Sequence, residues 1–134
     1  LRRLMLRHPA ANNQHSMALF LSRGYHESLI KNLHRTYKAR FEIMSEELSN
    51  IMPVSVATTA FGGSSFWIEG PETLNARVLA AEAKKIGIII EPGDLHFYGP
   101  RPPTHFFRLG FSAIKTEQIR PGIKLLADLI TQLS

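Results

Sequence analysis

From Tyr25 onward, apolar residues return every three or four positions: Tyr25, Leu29, Leu33, Tyr37, Phe41, Met44, Leu48 and Ile51. That spacing predicts one long amphipathic helix with a single apolar stripe. Glu27 stands four residues before Lys31, a favourable pair on such a helix, and Pro53 is expected to close it. Upstream, residues 1–7 read as the end of a helix stopped near His8-Pro9. Residues 13–22 read as a short helix capped by Asn12 or Asn13 and ended by Gly24. Beyond Pro53 the period changes. Residues 54–57 fit a short strand, Gly62-Gly63 a turn, and residues 64–68 a strand with Phe66 and Ile68 on one face. Residues 76–86 predict a helix capped by Asn75. Its inward face holds Val78, Leu79, Ala83 and Ile86, Lys84 and Lys85 sit in its last turn, and Gly87 stops it. Ile88-Ile89-Ile90 reads as a buried strand ended by Pro92-Gly93, and residues 106–111 as another. A last helix starts at Thr116, with Pro121 in its proper first turn and Ile123, Leu126, Ile130 and Leu133 inward. The predicted fold is α+β: a small, mostly antiparallel sheet with helices packed mainly on one side, preceded by a long helix.

The 134 residues suit one compact domain, and 44% apolar with 20% charged residues is globular composition rather than disorder. Cysteine is absent, which removes disulfides and thiolate metal sites. No apolar run approaches the roughly 20 residues of a membrane span, and residues 1–7 have a charged start without the apolar core of a signal peptide. A cytoplasmic location is expected. The chain begins with Leu1 rather than methionine, which reads as a piece of something longer.

The formal net charge of +5 is uneven, because residues 1–40 carry eight basic residues against Glu27 alone. Such asymmetry fits a nucleic-acid surface, or equally a solvated helix face or one that meets an acidic neighbour. No DNA-reading motif accompanies it, which favours the second reading.

Arg108 carries the strongest chemical signal. It interrupts the apolar run Phe106-Phe107-Arg108-Leu109-Gly110-Phe111, and a guanidinium in a buried strand needs an anionic partner. That partner is either an internal carboxylate, Glu69 or Glu91, or the carboxylate of a ligand, which the planar fork meets bidentately. The six histidines make no HxH or HxxxH pair and have no cysteine companion, so a metal site is not expected. His96, in Leu95-His96-Phe97-Tyr98, reads first as a surface histidine, and Trp67 as a core or interface aromatic. No Ser-His-Asp arrangement and no paired carboxylates stand out.

Several phrases, in order, go further. They are His8-Pro9 with Asn12-Asn13-Gln14, Ala18-Leu19-Phe20-Leu21, Tyr37-Lys38-Ala39-Arg40, Gly62-Gly63-Ser64, Gly87-Ile88-Ile89-Ile90-Glu91-Pro92-Gly93, and Phe107-Arg108-Leu109-Gly110-Phe111-Ser112 followed by Ile119 and Gly122-Ile123. Together they resemble the C-terminal, small domain of class I/II aminotransferase-like domains of pyridoxal-phosphate fold type I. The version in MocR-type regulators of the GntR family is the nearest, and the resemblance covers essentially the whole chain. It implies that Arg108 holds a ligand α-carboxylate, and that His96 and Tyr98, in the aromatic loop, shape specificity. It implies that Asn12, Asn13 and Gln14 lie near the phosphate of pyridoxal phosphate across a homodimer interface. It further implies an amino-acid or amine ligand, and a winged-helix DNA-binding domain ahead of this region. The family's cofactor lysine sits in a serine- and glycine-rich motif that no lysine here matches. The covalent lysine is therefore expected to lie outside this chain, leaving the chain alone inactive. Residues 1–24 are expected to pack on a large cofactor-binding domain, and residues 25–134 to form the small domain. A free-standing aminotransferase is the alternative to a regulator.

Overall fold

The computed structural model describes residues 10–51, the backbone of 55–57, and residues 63–134. The expected helix end at residues 1–7, Pro53 and Gly62 lie outside them. The chain divides into two compact units, Leu1–Thr36 and Tyr37–Ser134.

In the first unit, helix α1 spans Ala11–Ser22 and has no buried residue. The expected asparagine cap is not made. The helix starts at Ala11 with Ala10 at the cap position, and the Asn12 side chain accepts from the N–H of Asn13 (3.0 Å). Both asparagines thus lie inside the first turn, where a short polar side chain finds a local backbone donor. Gly24 adopts φ +71° and turns the chain into helix α2, Tyr25–Ile51. Phe20 meets Tyr25 and His26 across this turn, with ring centroids 6.1 and 6.4 Å apart. The stripe of α2 divides sharply. Tyr25, Leu29 and Leu33 in the first unit are exposed, whereas Met44 and Leu48 in the second are buried.

The second unit is built on a four-stranded antiparallel sheet in the order β1-β2-β4-β3. Its strands are β1 (Ser55–Ala57), β2 (Ser65–Glu69), β3 (Glu91–Pro92) and β4 (Phe106–Gly110). Helix α3 (Ala76–Lys85) and helix α4 (Thr116–Leu133) supply the apolar cover together with the second part of α2. The period of two decides which side of the sheet is covered. Phe66 and Ile68 on β2, and Phe107 and Leu109 on β4, point into the core with Met44, Leu48, Leu79, Ile119, Ile123, Leu126 and Ile130. Each large side chain fully buried this way contributes about 1.5–3 kcal/mol relative to exposure.

Asn75 caps α3 as expected. Its side-chain oxygen accepts from the N–H groups of Arg77 (3.0 Å) and Val78 (3.3 Å), and Gly87 ends the segment at φ +81°. The inward face is narrower than the sequence suggests. Ala76, Leu79 and Ala83 are buried, whereas Val78 and Ile86 are exposed. A ten-residue helix offers one stripe to the sheet, and Val78 falls about 100° from Leu79 around it.

The isoleucine triplet is also corrected. Ile88 is half-buried, Ile90 is 8% exposed and Ile89 is 83% exposed, so only one face of this segment is covered. The strand itself is Glu91–Pro92, at the sheet edge, with Glu91 opposite Arg108. An apolar run predicts burial on both faces; among the described residues the sheet has cover on one.

Pro121 lies inside α4 rather than in its first turn, because the helix already begins at Thr116. A mid-helix proline costs about 3 kcal/mol. Ile119 and Ile123, buried on either side of it, offset that cost.

Candidate functional site

The face of the sheet turned away from the core carries the polar and aromatic residues. Strand register sets Trp67 of β2, Arg108 of β4 and Glu91 of β3 in one row across three strands, because Trp67 and Glu91 are the two cross-strand partners of Arg108. Directly opposed residues share a face. Arg108 is therefore not a buried arginine. Its neighbours Phe107 and Leu109 take the core side, and its side chain is 47% exposed on the other. The expectation of burial fails because the flanking aromatic Phe106 also lies on this outer face, where it stacks on Trp67 (5.9 Å, 20° between planes).

Arg108 does have the anionic partner its charge demands. Its Nη2 donates to Oε2 of Glu91. The other oxygen of Glu91 lies 3.5 Å from Nε2 of His96. The alternative internal partner, Glu69, is engaged elsewhere, 3.7 Å from His105. With both side chains nearly half exposed, the Arg108–Glu91 pair contributes about 0–1 kcal/mol. It is a contact that a competing anion can open. Beside it lies a groove of 260 Å³ lined by Ser64, Ser65, Glu91, Arg108, Gly110 and Ser112 among others. Gly110, opposite Ser65 and two residues beyond Arg108, leaves this part of the face without a side chain on β4.

The aromatic wall of the site is fixed by a short 3₁₀ turn, Asp94–His96. Trp67 meets His96 edge-on (5.5 Å, 84°) and Phe97 at 5.9 Å, and Phe97 lies 5.1 Å from Phe106. Two features seat this turn. Gly93 donates its N–H to the carbonyl of Phe106 (2.8 Å), and a Cβ there would stand 2.6 Å from Cη2 of Trp67. Arg77 at the start of α3 donates from Nε to Oδ2 of Asp94 (2.6 Å), whose side chain is 12% exposed. No sequence spacing could pair Arg77 with Asp94, since the contact crosses from helix to loop. Arg40 of α2 likewise donates to the carbonyl of Ser112, next to the groove.

Of the residues expected at a site, Arg108 and His96 come together, joined through Glu91. Tyr98 does not join them; its side chain is fully exposed. Asn12, Asn13 and Gln14 are exposed residues of α1, in the first unit. Glu91, Trp67 and Phe97 form the rest of the site. The sequence signal for Glu91 is its position as the only acidic residue directly before Pro92-Gly93.

The outer face offers one cation, Arg108, at its groove and no lysine. All six lysines are exposed, and none lines this groove or the larger apolar groove of 600 Å³ beside Met44, Ile119 and Ile123. Among the described residues no group of histidines and acids is arranged for a metal, and no helix is long and apolar enough to cross a membrane.

No protein-family model matches the chain. It is 35% identical over 127 residues, 95% of its length, to the HTH-type transcriptional regulator TauR of Rhodobacter capsulatus. It is 31% identical over 84% of its length to aromatic-amino-acid aminotransferase 1 of Thermococcus litoralis. The chain spans about a quarter of these relatives, 26% and 27% of their lengths. Among solved structures it resembles LysN, the α-aminoadipate aminotransferase of Thermus thermophilus, complexed with N-(5'-phosphopyridoxyl)-L-leucine. That likeness has a TM-score of 0.80 at 25% identity and covers 98% of this chain and 34% of that one. The α+β architecture expected from the sequence is thus the architecture of aminotransferases. The chain belongs to the class I/II aminotransferase-like family, whose members depend on pyridoxal phosphate, and it corresponds to the C-terminal part of that domain.

Proposed function

We propose that this chain supplies the carboxylate-binding wall of an effector pocket in a pyridoxal-phosphate-dependent, aminotransferase-like domain of a transcription regulator. The observation that carries the reading is Arg108, held half-exposed on the outer face of the sheet with its fork at a groove and paired with Glu91. Arginine there meets a carboxylate through two parallel N–H···O bonds. His96 and the aromatic wall lie against the same ligand, and the exposed Tyr98 reaches it from the loop. The cofactor supplies the covalent chemistry at the ligand's nitrogen, from a lysine outside this chain. The exposure of all six lysines here supports that placement. Asn12, Asn13 and Gln14 approach the cofactor phosphate across a homodimer interface, and a separate winged-helix domain contacts DNA in the cytoplasm. Residues 1–24 pack on the large domain, and residues 25–134 form the small one. The chain alone is inactive. The identity shared with the Thermococcus enzyme favours one alternative, a free-standing aminotransferase in which Arg108 holds the substrate during catalysis.

The carboxylate reading is tested by titrating isotope-labelled chain with acetate and acetamide while following the Arg108 Nε–H and Trp67 Nε1–H signals. Acetate is expected to shift both, and acetamide neither. Arg108→Gln removes the response of Trp67, and Arg108→Lys, which keeps the charge without the fork, weakens it. Equal shifts from acetate and acetamide would overturn the assignment.

A further inference from the structure

The loop that carries the aromatic wall is tied at both feet to the start of α3. At its opening, Arg77 donates from Nε to Oδ2 of Asp94 at 2.6 Å. At its close, the carbonyl of Thr104 accepts from the N–H of Ala76 (2.8 Å). Between these feet His96 and Phe97 meet Trp67 at 5.5 and 5.9 Å. The Arg77–Asp94 pair is lopsided, because the Arg77 side chain is 64% exposed and that of Asp94 only 12%. The second oxygen of Asp94, Oδ1, is buried and has no hydrogen-bond partner among the described residues. The carboxylate is therefore largely shut from water and held by one guanidinium. A buried charge that loses its partner costs far more than an exposed pair contributes. Its way back to water is to carry the turn outward, and His96 and Phe97 follow directly on that same turn. The pose of the aromatic wall thus depends on a cation in the first turn of α3 that does not itself line the groove.

We propose that Arg77 is a positioning residue of the outer-face site. Through Asp94 it holds the turn that sets His96 and Phe97 against Trp67, and so fixes the wall beside Arg108. The ligand arm of the test below rests on the reading of Arg108 as a carboxylate site; the pose of the wall is measured without ligand.

Trp67 is the single tryptophan of the 134-residue chain, so its emission and its indole Nε1–H signal report the wall alone. Arg77→Gln is expected to shift both, while the backbone amide signals of β2 and β4 stay in place. Arg77→Lys, which keeps the charge, is expected to leave them close to the original. The discriminating variant combines Arg77→Gln with Asp94→Asn. With no charge left to strand, the turn returns and the Trp67 signals move back toward their original values. A contact that only adds stability would instead lose more with the second substitution. The ligand arm compares phenylacetate with acetate at fixed ionic strength. The unaltered chain is expected to bind phenylacetate about 2–10-fold more tightly, the range of one aromatic contact. Arg77→Gln loses that advantage and keeps its response to acetate, and the double variant regains it. Unmoved Trp67 signals in Arg77→Gln, or no return in the double variant, overturn the role of Arg77 and leave Arg108 standing. Equal affinity of the unaltered chain for the two acids also overturns it, since the wall then meets no ligand. No response to either acid overturns the carboxylate site instead, while the ligand-free Trp67 signals still decide whether Arg77 sets the wall.

Discussion

Gly93 shows how closely the site is built at the level of single atoms. Its φ is −87°, so any residue could adopt its backbone; what forbids a side chain is space. A Cβ would meet Trp67 at 2.6 Å and the backbone of Phe106 at 2.8–2.9 Å, and the backbone of a central strand cannot give way cheaply. Gly93→Ala is therefore expected to cost about 1–3 kcal/mol and to weaken the Trp67–His96 contact. Denaturant unfolding and the Trp67 emission spectrum report the two effects. A variant as stable as the original chain, with unchanged emission, would show that the turn is not held as described. Arg108 carries a different lesson. Its sequence context said correctly that it needs an anion and offered Glu91 as one candidate. It misjudged the burial, because Phe106 and Phe107 look alike in sequence while a period of two sends them to opposite faces.

At the level of elements, α3 and its cap are the part most legible from sequence. Asn75, the lysines of the last turn and Gly87 each mark a boundary by local chemistry, and the structure uses all of them. Asn75→Ala is expected to destabilise the second unit by about 1 kcal/mol, read as a lower unfolding midpoint with an unchanged denaturant dependence. No shift would mean that the two N–H groups find other acceptors. The alternation of β2 was equally readable, since Phe66 and Ile68 fall on one side. Three features were not. Ile89 is exposed because, among the described residues, the sheet is covered on one face only, which no local pattern reveals. Pro121 sits in mid-helix because long-range burial of Ile119 and Ile123 overrides a local preference. The Arg77–Asp94 contact, which seats the aromatic turn, joins residues seventeen positions apart that share no periodic pattern.

For the whole molecule, the contrast along α2 matters most. The same stripe that buries Met44 and Leu48 in the second unit leaves Tyr25, Leu29 and Leu33 exposed in the first, where α1 also exposes Met17, Leu19 and Leu21. Exposed apolar side chains in this number favour association. The chain is expected to self-associate at micromolar concentration in sedimentation velocity, and Leu29→Glu with Leu33→Glu to return it to a monomer. A monomeric sediment of the unaltered chain, with no binding of an apolar dye, would contradict this.

On the proposed reading this chain brings the ligand's carboxylate partner while the covalent site of the cofactor lies elsewhere. The most direct measurement titrates pyridoxal phosphate into the chain, reduces with borohydride, and maps the modified lysines by mass spectrometry. No saturable absorbance band is expected at one equivalent, with low modification scattered over the exposed lysines. A stoichiometric band fixed to a single lysine would contradict it, and would make this chain a cofactor-binding unit in its own right.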